Sequence, residues 1–294
     1  MIVFTLPPFQ EEKSHFKELK KGLYSAYRFE NGELHIDLNS PVRGEECLIY
    51  GSIAPPDEHL LTLLCLAHTL KKNGAKKCIA AIPYLAYTRQ EHFTKGSSQL
   101  TDLIAHFLKD SGIDTIFTFD VHSIDAKNLF EVEVVELSSA PLFLKALKKF
   151  GYSPDTVVSP DLGGVERATH IAKLLKKPFA FFEKKRDSLG VHHLLCHNEI
   201  GKKILIVDDI LDTGRTLLSC LKKLKEIGMQ DAVIFVTHPL FSTNLYNSFF
   251  EYGLEKIFCT DSVPLAQDLS LDTRIEQISL FPYFEEAICK KRSF

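Results

Sequence analysis

Lys-Lys-Ile-Leu-Ile-Val-Asp-Asp-Ile-Leu-Asp-Thr-Gly-Arg-Thr-Leu-Leu-Ser-Cys-Leu-Lys-Lys-Leu-Lys-Glu-Ile-Gly, residues 202–228, is the stretch whose reading decides the fold. It opens on an apolar run, Ile204 to Val207, of the kind expected for a strand buried on both faces. Two adjacent carboxylates follow, Asp208 and Asp209, and then a short turn, Asp212-Thr213-Gly214. An amphipathic helix comes next, with Leu217, Leu218, Leu221, Leu224 and Ile227 on one side and Gly228 as its stop.

A strand, a polar turn and a helix start together make an anion site. Free backbone N–H groups and the positive helix end favour a phosphate, and Thr213 and Thr216 add hydroxyl donors. Gly214 allows close approach of the backbone. The two carboxylates repel phosphate, so they call for donors or cations, such as ribose hydroxyls or a magnesium shell. The alternative is an ordinary strand followed by a helix capped by Asp212.

Working outward, the 294 residues suffice for two domains of ordinary size. A hydrophobic content of 45% and a charged content of 25% are those of a water-soluble globular protein. The formal net charge of −3 gives no sign of a nucleic-acid surface. Cysteines at 47, 65, 78, 196, 220, 259 and 289 form no C-x-x-C pair, so free thiols in a reducing cytoplasm are expected. The N-terminus is too short for a signal sequence, and no apolar run has the length to span a bilayer.

In the first half, strand-like runs alternate with helical patterns, which argues for an α/β fold with a largely parallel sheet. Strands are expected at 47–53, 77–83 and 115–119, and helices at 60–70 and 100–111. No G-x-G-x-x-G follows a strand and no Walker loop is present, so the standard dinucleotide and ATPase readings lose their support. Three polar features stand out. Phe29-Glu30-Asn31-Gly32-Glu33 suits stacking and edge recognition of a purine, or else is a hairpin turn at Asn31-Gly32. Arg89 and Gln90 follow a strand at its carboxyl end, where open α/β sheets bind ligands, although an isolated Arg89 is more often a surface ion pair. Asp120 and His122 end the next strand in the same sense and can ligate a metal or be structural.

The second half is expected to hold a helix over 141–150, strands at 156–159 and 179–182, and further strands beyond the 202–228 unit. Ser159-Pro160-Asp161-Leu162-Gly163-Gly164 reads as a loop feeding a helix, with Asp161 at the strand end. Lys184 and Arg186 follow the 179–182 strand as a basic pair, which a solvated turn would also explain. His192, His193 and His197 lack further ligands at a standard zinc spacing.

Residues 202–228 resemble the phosphoribosyl-diphosphate loop of the type I phosphoribosyltransferase fold. The three features of the first half, in their order, resemble the ribose-phosphate pyrophosphokinase family, as do the Ser-Pro-Asp-x-Gly-Gly segment and the Lys-x-Arg at 184–186. The resemblance runs from about residue 25 almost to the end. It implies two similar domains of the type I phosphoribosyltransferase-like fold, 1–140 on the ATP side and 141–294 on the ribose 5-phosphate side, with the last residues free to pack back on the first. It implies transfer of a pyrophosphoryl group from ATP to ribose 5-phosphate, with Mg2+ as cofactor, in a cytoplasmic homo-oligomer (a dimer or dimer-based hexamer) that has neither nucleic acid nor membrane as partner.

The same resemblance distributes the residues. Phe29, Asn31, Glu33, Arg89, Gln90 and His122 would bind ATP. Asp208, Asp209, Asp212, Thr213, Gly214, Arg215, Thr216 and Arg186 would bind ribose 5-phosphate. His122, Asp161 and Asp120 would hold the metal, and Lys184 and Arg186 would be catalytic. Three departures stand against the family pattern, one being Leu129-Phe130-Glu131-Val132-Glu133 where the family has Phe-Phe-Asp-x-Pro. Residues 91–98 lack the basic character usual after Arg-Gln, and Arg215 occupies a place more often held by a small residue. A nucleobase phosphoribosyltransferase and a catalytically silent regulator of a synthetase are the alternatives.

Overall fold

The computed structural model describes residues 1–7, 9, 19–187, 190–196 and 200–292, without the side chains of 184–187, 190–196 and 292. The chain divides into two compact units, Met1–Leu137 with Leu280–Phe294, and Ser138–Ser279.

In the first unit the described elements are β1 (Ile2–Thr5), β2 (Lys20–Lys21), β3 (Tyr24–Arg28), β4 (Leu34–Leu38), β5 (Glu46–Tyr50), α1 (Glu58–Lys72), β6 (Lys77–Ala81), α2 (Leu100–Asp110), β7 (Thr115–Phe119), α3 (Ile124–Asn128) and β8 (Glu133–Leu137). Six of the strands form a wholly parallel sheet in the order β2-β1-β5-β6-β7-β8. Strands β3 and β4 stand apart as an antiparallel hairpin. The C-terminal helix, Phe281–Arg292, belongs to this unit. Its Phe281 and Phe284 rings meet Tyr50 edge-on at 5.4 and 5.8 Å, and Phe284 meets Phe119 at 4.9 Å. Edge-to-face packing of this kind adds to the burial of apolar surface.

The second unit holds α4 (Ala140–Phe150), β9 (Thr156–Ser159), α5 (Val165–Leu175), β10 (Phe179–Asp187), β11 (Gly190–Cys196), β12 (Lys203–Leu211), α6 (Arg215–Glu226), β13 (Asp231–Pro239), a 3-10 helix over Asn244–Tyr252, β14 (Leu254–Thr260), α7 (Gln267–Ser270) and β15 (Ile275–Ile278). The sheet order is β11-β10-β9-β12-β13-β14-β15, parallel throughout except at β11. Both units are thus mostly parallel sheets with helices, the expected fold class.

Strand β12 shows why its sequence is apolar without alternation. Successive side chains point to opposite faces. Ile204 and Ile206 join one core cluster with Leu217, Cys220, Leu221 and Leu224 of α6. Leu205 and Val207 join another with Ala168, Ile171 and Ala172 of α5. Helices cover both faces, so every position of the run is buried.

Three details depart from the sequence reading. Strand β12 continues through the carboxylate pair to Leu211, because β13 is long enough to pair with it as far as Leu211↔Pro239. Ile227 lies beyond the last helical residue and is 52% exposed, while Cys220 takes its place in the buried stripe. The strand expected at 179–182 runs on to Asp187 and turns back as β11, since pairing with a neighbouring strand satisfies its backbone. Cys47, Cys65, Cys78, Cys220, Cys259 and Cys289 are free thiols. Among the described residues, no helix is long and apolar enough to cross a membrane.

Candidate functional site

The loop between β12 and α6 is built by local chemistry. Helix α6 starts at Arg215 with Gly214 as its cap residue, at φ 77° and ψ 0°. This left-handed conformation suits glycine. A Cβ at Gly214 would stand 2.8 Å from Cζ of Phe249, so bulk and backbone angle both select glycine. Asp212 is therefore not the helix cap; its Oδ1 accepts a hydrogen bond from Ser242 Oγ. Thr213 and Thr216 are half-buried beside the helix start, and Arg215 is exposed. Backbone amides, two hydroxyls and a guanidinium thus gather at the positive end of a twelve-residue helix, a disposition suited to a phosphate.

Asp208 and Asp209, as neighbours in a strand, face opposite sides of the sheet. Asp209 is buried, and its Oδ1 lies 3.7 Å from Nη1 of Arg167 on α5. Asp208 Oδ1 accepts the Asp209 N–H at 2.9 Å. Burial pushes the Asp208 carboxyl well above the usual range, and Asp209 and then Asp161 push it further, with Arg167 opposing. Nothing in the local sequence gives Arg167 a role. The signal that finds it is its place on α5, the helix covering the Asp209 face of β12.

A raised carboxyl pKa means that the folded state disfavours the ionised form, so this group costs stability above the ordinary carboxylate range. The penalty is constant above the raised folded value and fades as pH falls from that value to the ordinary carboxylate range. Asp208→Asn is expected to raise the midpoint of thermal unfolding at pH 8 by about 2–4 °C. The gain should shrink as the pH is lowered, and scanning calorimetry of both proteins across pH checks it.

In the first unit, β3 and β4 are joined by a tight turn. Phe29 N–H donates to the Glu33 carbonyl at 3.0 Å, and Asn31 Nδ2 donates to Glu33 Oε2 at 2.9 Å. The hairpin-turn reading of Asn31-Gly32 therefore holds, and the turn still presents aromatic surface. Phe29 is 46% exposed, with the Tyr27 and His35 rings 5.7 and 5.0 Å away. Arg28 Nη2 contacts Glu58 Oε1 at 2.8 Å, linking the hairpin to α1.

Arg89 and Gln90 follow β6, and Asp120 and His122 follow β7, the strand paired with β6. These two groups thus leave the sheet at the same end. Glu91 joins them: its Oε1 accepts from Ser123 Oγ at 3.1 Å, and its carbonyl accepts from Gln99 Nε2 at 2.8 Å. The sequence reading treated Glu91 as a departure from a basic stretch. Its buried carboxylate ties the Arg89–Gln90 segment to the residue after His122. Asp120 is buried, at φ 37°, with its N–H on the Leu137 carbonyl at 3.1 Å.

Asp161 opens the loop between β9 and α5, where its Oδ1 accepts the Gly163 N–H at 3.1 Å. Among the described residues, no three His, Cys, Asp or Glu side chains gather to hold a metal. The Asp161 carboxylate is an oxygen donor of the kind magnesium takes alongside waters and phosphate oxygens. Lys184 and Arg186 have their backbones on β10, opposite His193 and Val191 of β11. Their side chains lie outside the described residues, as do those of His192 and His193 and the whole of His197.

Residues 7–112 match the family described as the N-terminal domain of ribose phosphate pyrophosphokinase, and residues 125–239 match the phosphoribosyl transferase domain. The chain is 34% identical over 271 residues to a ribose-phosphate pyrophosphokinase of Thermosipho africanus, covering 90% of this chain and 85% of that protein. A ribose-phosphate pyrophosphokinase of Ralstonia nicotianae is 31% identical over 268 residues, with the same coverage. The crystal structure of a phosphoribosylpyrophosphate synthetase from Mycobacterium smegmatis superposes with a TM-score of 0.89 at 26% identity, covering 99% of this chain and 98% of that one.

Proposed function

We infer the activity from one premise: the chain belongs to the ribose-phosphate pyrophosphokinase family. It is an enzyme that transfers the β,γ-pyrophosphoryl group of ATP to the C1 hydroxyl of ribose 5-phosphate, giving phosphoribosyl diphosphate and AMP. The observation that carries this reading is the extent of the match, which includes the synthetase-type N-terminal domain over residues 7–112. A nucleobase phosphoribosyltransferase would account for the second half alone. The silent-regulator reading is disfavoured by the presence of Asp208 and Asp209 on β12 and of His122 and Asp161 just beyond β7 and β9.

In this mechanism the 5-phosphate rests on the amides and hydroxyls of Thr213, Gly214, Arg215 and Thr216, with Asp212 at the loop entrance. Asp208 and Asp209 accept hydrogen bonds from the ribose hydroxyls and orient the C1 hydroxyl. Phe29 stacks on adenine, Asn31 and Glu33 address its edge and the ribose, and Arg89 and Gln90 bind the nucleotide. As the C1 oxygen bonds to the β-phosphorus and the bond to AMP breaks, Lys184 and Arg186 balance the charge spread over the transferring group. Asp120, His122 and Asp161 are the candidate ligands for magnesium, which would supply further charge neutralisation when bound.

The enzyme is expected to work in the cytoplasm as a dimer or dimer-based hexamer, with no nucleic-acid or membrane partner, and light scattering would measure its mass. The direct test of activity is AMP release by the purified chain given ribose 5-phosphate, ATP and magnesium. AMP should form only with both substrates present. Absence of AMP, or consumption of phosphoribosyl diphosphate with a purine base instead, would sink the assignment.

A further inference from the structure

The segment that follows β13 lies against the anion loop, and its hydrogen bonds follow one pattern. Leu240 N–H and Phe241 N–H both donate to the Leu211 carbonyl, each at 2.9 Å. Ser242 N–H donates to the Asp212 carbonyl at 3.2 Å, and Thr243 Oγ1 donates to the Thr213 carbonyl at 2.9 Å. Ser242 Oγ adds its bond to the Asp212 carboxylate. Three consecutive carbonyls are thus taken by one brace.

In a trans peptide the C=O and the following N–H point in opposite directions. The N–H groups of Asp212, Thr213 and Gly214 are therefore each turned away from the brace. That is the orientation a concave set of amides needs to receive an anion.

The brace is itself held firmly. At its root, the Thr237 carbonyl accepts from Thr260 Oγ1 at 2.5 Å and from Ser262 Oγ at 3.0 Å, and His238 Nδ1 lies 3.0 Å from Ser262 Oγ. All four residues are buried. Phe241 sits at φ 45°, a left-handed conformation that a bulky residue keeps only where its surroundings over-determine it. Its ring packs edge-on against Tyr246 at 5.2 Å.

We propose that Ser242 and Thr243 are positioning residues for the sugar-phosphate substrate, fixing the peptide orientations of the Asp212–Gly214 loop without touching the ligand. The proposal rests on the reading that this loop holds the 5-phosphate, and Thr216→Ala tests that reading separately.

The test is steady-state kinetics on the purified full chain, with ribose 5-phosphate and ATP varied in turn. Thr243→Val removes the hydroxyl at nearly constant volume and is expected to raise KM for ribose 5-phosphate about tenfold. KM for ATP and kcat should stay within about twofold, and Thr243→Ser should restore the wild-type KM to within about twofold. Thr243 Oγ1 also accepts the Leu245 N–H at 3.2 Å as a cap, so Ser242→Ala, which leaves that cap intact, provides a second variant expected to raise the same KM. The positioning role is overturned if Thr216→Ala raises KM for ribose 5-phosphate while Thr243→Val and Ser242→Ala do not. It is overturned equally if both KM values rise together or serine fails to rescue, because a general loss of structure then explains the effect. If Thr216→Ala itself leaves the ribose 5-phosphate KM unchanged, the loop reading falls, and the proposal falls with it.

Discussion

Gly214→Ala is expected to lower kcat/KM for ribose 5-phosphate by about a hundredfold. Two physical effects act together. At φ 77° an L side chain costs about 1–2 kcal/mol through its contact with the following carbonyl. The new methyl would also stand 2.8 Å from Cζ of Phe249, a ring that is fully buried and cannot swing aside cheaply. Either the loop shifts or the ring does, and a displacement of about 1 Å in a phosphate cradle suffices for a loss of this size. The effect should fall on ribose 5-phosphate more than on ATP, whose proposed contacts come from the first unit. Initial rates with each substrate varied would measure it, alongside a thermal melt to establish that the variant folds. A folded Gly214→Ala protein with near wild-type kcat/KM would mean that the loop does not bear on the substrate.

Lys184→Ala should lower turnover by about a hundredfold or more, with little change in the binding of ribose 5-phosphate. Its strand gives the reason. β10 runs parallel to β9, with Phe181 opposite Ser159, and Asp161 lies two residues beyond Ser159 as Lys184 lies three beyond Phe181. The backbone of Lys184 thus lies further along β10, beside the loop that carries Asp161. A pyrophosphoryl group in transit carries several negative charges, and a cation that meets it chiefly in the transition state affects kcat rather than KM. Single-turnover measurement of AMP formation reads the chemical step directly. Retention of wild-type turnover would remove Lys184 from the catalytic group.

Some features were open to reading because their causes are local in the chain. Ile204–Val207 has no polar residue to place on a solvent face, so it must be covered on both sides, which requires an α/β sheet. Gly214 before the Leu217, Leu221, Leu224 stripe marks a helix start, and Asn31-Gly32 marks a turn. Motif order along the chain was likewise enough to point to the family.

Other features depend on pairing between distant residues, which local patterns do not encode. Whether β12 ended before or after its carboxylates was decided by the length of β13, and with it the placing of Asp208 and Asp209 on opposite faces. Glu91 reads as a missing positive charge until Ser123, thirty-two residues later, turns it into a link between two strand ends. Arg167 acquires its role from the packing of α5 over Asp209, and Ser242 and Thr243 from lying thirty residues beyond the loop they hold. The chain by itself determined which chemical groups are present and in what local frame. The tertiary structure decided which way each group points, because orientation is set by the partner strand or helix and by the hydrogen bonds it supplies.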